Sequence, residues 1–78
     1  MSREVKFIGM DVHKGAIVIA VQNTRGHVVM ESIVETKVSS ILQFIHGLER
    51  ELHVTWEEGT WADWLYDLLQ PHVSFANK

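Results

Sequence analysis

The chain contains no cysteine, one proline and no excess of basic residues in 78 positions. Without cysteine there is neither a disulfide framework nor a thiolate metal site, so nothing covalent staples a fold this small. Seven Lys and Arg against ten Asp and Glu give a net charge of -3, which argues against this piece gripping nucleic acid through a basic surface. Long apolar runs are also missing. The longest, Ala16 to Val21, is far too short to cross a bilayer. In the N-terminal stretch Met1 to Met10, apolar residues alternate with Arg3 and Lys6 and then meet Asp11, so there is no uninterrupted core of a signal peptide. The expectation is a cytosolic chain with no membrane association.

What is present is a chain with 46% hydrophobic and 22% charged residues, apolar enough to fold as one small domain. It lies near the lower size limit for a domain held by its core alone, so a partner or further chain is expected to support it. Val5 to Val12 is apolar on both alternating faces except for Lys6 and Asp11, which reads as a central strand covered on two sides. Asp11 is out of place in such a strand. His13-Lys14-Gly15 turns the chain into a second, β-branched strand, Ala16 to Gln22. Asn23-Thr24-Arg25-Gly26 supplies the next turn and a third strand, His27 to Val34, follows.

The period then changes to that of a helix. Val38, Ile41, Leu42, Ile45 and Leu48 form one face, with Thr36 or Ser39 as N-cap. Leu52 to Trp56 reads as a fourth strand ending at Glu57-Glu58-Gly59. Thr60 caps a second helix with Asp63 in a capping-box-like place and Trp61, Trp64, Leu65, Leu68 and Leu69 as its stripe, and Pro71 ends it. His72 to Phe75 starts a fifth strand. The order βββαβαβ defines an α/β fold. If strand four pairs with the free edge of strand one, the sheet runs 3-2-1-4-5 with strand two antiparallel and helices packed on the sheet.

In that arrangement Asp11 and Glu57 end neighbouring parallel strands, at the carboxyl side where ligands of open α/β sheets bind. Adjacent strands lie ~4.8 Å apart, so two carboxylates there repel unless a proton or cation sits between them. Oxygen ligands without cysteine suit Mg²⁺ or Mn²⁺, and paired ions ~4 Å apart serve phosphodiester chemistry. Asp11 and Glu57 are therefore expected to be half of a divalent-metal site, with Glu58 as the substitute for Glu57. The plainer alternative is a turn-opening Asp11 and a solvated Glu57-Glu58 loop before a helix N-terminus. His13 and Lys14 read as a polar turn. His27, His46, His53 and His72 have no zinc-site spacing, and Trp61 and Trp64 belong to the core stripe.

Two segments carry a family resemblance. Ile8-Gly9-Met10-Asp11-Val12-His13-Lys14 with its β-branched strand, and His53 to Leu69 with Trp56-Glu57-Glu58-Gly59-Thr60-Trp61 at its centre, resemble the N-terminal part of DEDD-type insertion-sequence transposases, the IS-one-ten group. The resemblance implies a ribonuclease H-like, RuvC-like catalytic domain whose four acidic residues bind Mg²⁺ for DNA cleavage and strand transfer, in a bacterial or archaeal cell. It makes Asp11 the first of the four and Glu57 the second, with the other two beyond Lys78. Residues 1–78 are then one partial domain, inactive alone, whose parent acts on DNA and in some members is directed by a guide RNA. Two other classes stay open, the first of which shares the element order. An actin-like or sugar-kinase ATP-binding fold is one, although bulky His13 and Lys14 stand where that fold's phosphate hairpin has small residues. A self-associating module, pairing through the edge left by an unfinished fifth strand into a homo-oligomer, is the other.

Overall fold

A computed structural model describes residues 5–48, 51–57, 59 and 62–77. Its elements in chain order are β1 (Val5–Val12), β2 (Ala16–Gln22), β3 (Val28–Glu35), α1 (Val38–Leu48), β4 (Glu51–Trp56), α2 (Ala62–Leu69), a 3-10 turn (Gln70–His72) and β5 (Phe75–Asn77). The five strands form one sheet in the order β3-β2-β1-β4-β5. β1 pairs antiparallel with β2 and parallel with β4, β2 is antiparallel to β3, and β4 is parallel to β5. The α/β class and the mixed sheet therefore follow the sequence reading closely.

One expectation fails. β1 is covered on a single face, not two. Ile8 and Met10 on β1, Ile17, Ile19 and Val21 on β2, and Leu52, Val54 and Trp56 on β4 are buried in one cluster with Ile41 and Ile45 of α1 and Ala62, Leu65 and Leu69 of α2. The intervening residues Phe7, Gly9, Asp11, Val18 and Thr55 are exposed. Both crossovers, β3 to β4 and β4 to β5, step the same way across the sheet. Two right-handed crossovers in one direction place both helices on one face. Among the described residues nothing covers the other face, so Asp11 is not an intruder in a buried strand: it sits on the exposed side.

Smaller departures have local causes. β3 is displaced by one residue at both ends from the expected range, and β4 begins one residue earlier, at Glu51. Neither Thr36 nor Ser39 caps α1: the helix starts at Val38, Ile41 donates its N–H to Lys37 O at 3.0 Å, and Ser39 lies inside the first turn. Thr36 is otherwise engaged, its Oγ1 donating to His13 O at 2.8 Å. Pro71 does not follow α2 immediately, because the chain tightens into the 3-10 turn that contains it and delays β5 to three residues at Phe75. The expected cap Thr60 and stripe residue Trp61 fall outside the described residues. Trp56 buries its indole N–H without an acceptor among the described residues, a cost of about 1–3 kcal/mol at the end of β4.

The β2–β3 turn is built by Asn23, whose Oδ1 accepts from the Arg25 and His27 amides at 2.9 and 3.1 Å, while Gly26 takes a φ of 81°. Alanine in that left-handed region costs about 1–2 kcal/mol. Gly26→Ala is therefore expected to lower the melting temperature by roughly 4–16 °C, as a circular-dichroism melt would read it. An unchanged melt would remove the turn from the account of stability.

Candidate divalent-metal site

β1 ends its pairing with β4 at Met10 opposite Trp56, so Asp11 and Glu57 are the next residues along two neighbouring parallel strands. Side chains alternate along a strand. Met10 and Trp56 face the helices, and Asp11 and Glu57 therefore belong to the open face. Both are exposed, and they line one hollow of about 440 Å³ together with Gly9, Val18, Ala20 and Thr55. The floor of that hollow is made of small residues. A side chain built at Gly9 would have open space above it, with no atom within 4 Å of its Cβ. Glycine here leaves the sheet surface bare beside the two carboxylates. Glu58, the alternative to Glu57, lies outside the described residues.

The turn that follows Asp11 is anchored to the far side of the sheet. His13 donates its backbone N–H to Ala16 O at 3.0 Å, Thr36 donates its amide to Gly15 O at 3.4 Å, and the Thr36 hydroxyl holds His13 O. His13 also reaches back, with Nε2 at 3.2 Å from Asp11 Oδ2. The side chains of His13 and Asp11 are 61% and 74% exposed, so this pair is solvent-screened and is of the kind that contributes about 0–1 kcal/mol. Asp11 can exchange this contact for a bound cation at little cost. No group of three or more His, Asp or Glu side chains with metal-ligand geometry occurs among the described residues. Two carboxylates facing one hollow are what the chain itself brings.

The open face holds a second feature that the spacing of residues did not reveal. Phe7 of β1, His53 of β4 and Phe75 of β5 are in register across the sheet. Their rings meet at centroid distances of 5.4 Å for Phe7–His53 and 5.7 Å for His53–Phe75, and His53 Nε2 lies 3.0 Å from Glu51 Oε2. A pair of histidines remote in sequence also meets: His46 Nε2 and His72 Nδ1 are 3.0 Å apart, linking α1 to the 3-10 turn. The only sequence signal for the first row is that residues 7, 53 and 75 fall on the strands' uncovered parity. For the histidine pair there is none, because it depends on how the 3-10 turn lands on α1.

No protein-family profile matches the chain, and no curated protein does. Among solved structures it is similar to Archaeoglobus fulgidus Pelota, whose crystal structure reveals inter-domain structural plasticity, with a TM-score of 0.60 at 14% identity. The match covers 97% of this chain and 26% of Pelota, so the chain spans about a quarter of that protein's length. At this identity the likeness concerns the fold alone. The class so defined is a five-stranded mixed α/β sheet with both helices on one side. No helix among the described residues is long and apolar enough to cross a membrane.

Proposed function

We propose that the chain is the N-terminal part of a ribonuclease H-like catalytic domain of a DEDD-type insertion-sequence transposase, contributing Asp11 and Glu57 to a Mg²⁺ or Mn²⁺ site that cuts and joins DNA. The observation that carries this reading is the placement of both carboxylates on one hollow at the carboxyl ends of neighbouring parallel strands. It is supported by the resemblance of the Ile8–Lys14 and His53–Leu69 segments to that family. Hard, exposed oxygen donors suit these ions, and two of them make half a site. When bound, paired ions activate an attacking water or DNA hydroxyl and stabilise the leaving oxygen. The chain's own part is to hold two carboxylates at fixed strand ends, to keep a bare Gly9–Ala20–Thr55 floor beside them, and to fix the following turn through Thr36. The acidic balance fits this division, with the DNA-gripping surface and any guide-RNA contacts in chain beyond these residues.

The test is a Mn²⁺ titration followed by paramagnetic broadening of backbone resonances. Two carboxylates supply too few ligands for tight binding, so affinity in the millimolar range is expected, with broadening centred on Gly9, Asp11 and Thr55. Asp11→Ala and Glu57→Ala are each expected to abolish it. Unchanged broadening in both variants would refute the site.

A further inference from the structure

The two edges of the sheet are unequal. β5 is three residues long, whereas β3 runs for eight, Val28–Glu35, with β2 on one side and no strand on the other among the described residues. Natural edges are guarded by shortness, proline, charged side chains or bulges. β3 is neither short nor interrupted by proline, and its guards are two carboxylates, Glu31 and Glu35, and a bulge at Val29 near one end. Its other exposed side chains are apolar: Val28, Val29, Met30 and Ile33 are 45–71% exposed, with Ile33 the most. A register shift opposite Val21 and Gln22 leaves Val29 without a partner on β2, so the regular stretch of the edge is Met30–Glu35.

We propose that this edge is a homodimer interface, in which β3 pairs antiparallel with β3 of a second copy about a two-fold axis through Ser32. The register follows from faces and charges. A two-fold normal to the sheet keeps every side chain on its own face, so opposed residues must share parity and the axis must pass through a residue. Within the regular stretch three centres keep most of the pairing. Centring on Glu31 sets that carboxylate against its own copy. Centring on Ile33 sets Glu31 against Glu35 twice. Centring on Ser32 sets Ser32 against itself, Met30 against Val34 and Glu31 against Ile33, with no like charges directly opposed. Like charges directly across a strand pair are destabilising.

The helix-covered face adds a receptacle. Met30 and Val34 lie on that face, opposite Val21 and Ile17 in the β2 ladder. Beside the free edge, Val34, Ser40, Gln43 and Phe44 line a hollow of about 410 Å³ between β3 and α1. In the Ser32-centred register the second copy's Met30 stands across from Val34, at the mouth of this hollow, and methionine is suited to filling an irregular gap. The two sheets join into one of ten strands. Pairing through a single strand is smaller than a standard interface, so a weak dimer, with a dissociation constant on the order of micromolar or above, is expected. This inference does not depend on the metal site.

The test uses light scattering and single cysteines in a chain that has none of its own. Dimers are expected at ~0.5 mM, dissociating on dilution through the micromolar range. Ile33→Glu faces Glu31 of the second copy twice and is expected to weaken the dimer about tenfold, while Ile33→Lys, facing the same carboxylate, keeps it. Both changes fall at a 71% exposed position, so circular dichroism should find both folded. Under mild oxidation Ser32→Cys should form a disulfide-linked dimer about tenfold faster than Glu31→Cys or Ile33→Cys, since only residue 32 meets its own copy within disulfide reach. A chain monomeric at high concentration, equal dimerisation of the Ile33→Glu and Ile33→Lys variants, or fastest cross-linking at residue 31 or 33 would each overturn the proposal.

Discussion

Leu65→Ala is expected to bring the domain to the brink of unfolding at room temperature. Leu65 is fully buried on α2, within the cluster that joins both helices to β1, β2 and β4. Truncating a buried leucine costs about 2–5 kcal/mol, from lost transfer energy and the cavity left behind. A chain of 78 residues has a total stability of only about 4–12 kcal/mol at ordinary values per residue, and no disulfide adds to it. The melting temperature should fall by roughly 10–30 °C. Ile33→Ala provides the control: at 71% exposure it should change the stability of the monomer by under about 0.5 kcal/mol. A Leu65→Ala melt as high as that of Ile33→Ala would mean that α2 is not seated on the sheet as described. The contrast also separates folding from association, because Ile33 matters to the dimer edge and Leu65 to the core.

The second large effect concerns chemistry in the longer protein that the proposed function implies. There, Asp11→Asn is expected to reduce DNA strand cleavage by about 10³-fold or more, since a ligand carboxylate supports several kcal/mol of charge stabilisation in the reaction. Asparagine preserves the shape of the side chain but removes its charge. Asp11 is exposed at the end of β1 and no core contact depends on it, so the variant should melt with the wild type. Loss of cleavage with an unchanged melt is the expected pair of results. Cleavage retained within tenfold would place the metal elsewhere. The same substitution at Glu57, as Glu57→Gln, should behave alike, because the two residues occupy equivalent positions on adjacent strands.

Much of this site was legible from residue order. β-branched runs, the Asn23–Gly26 turn and the helical spacing of Ile41 and Ile45 each express a local preference that tertiary contacts did not override. Together with the handedness of crossovers they led to the strand order, and the strand order put Asp11 beside Glu57. The open face was not legible. The near-continuous apolarity of Val5–Val12 signalled burial on both sides, yet Phe7 is 42% exposed because both crossovers step in one direction. A hydroxyl before a helix makes a good cap, so the sequence points to Thr36 or Ser39, but Thr36 does not cap α1. It serves instead to hold His13 O across the sheet, a contact between residues 23 positions apart that no local rule contains.

The sequence by itself determined the alternation of strands and helices, their order in the sheet, and the pair of carboxylates at the ends of β1 and β4, because each rests on short-range periodicity or on chain connectivity. Only the tertiary structure decided which face of the sheet is covered, that Asp11 and Glu57 share a hollow floored by Gly9, and that β3 rather than the short β5 is the long edge with no further strand beside it among the described residues. Those outcomes depend on where two helices come to rest on one surface. That choice is set by the summed packing of the buried side chains, thirteen among the described residues, rather than by any segment alone.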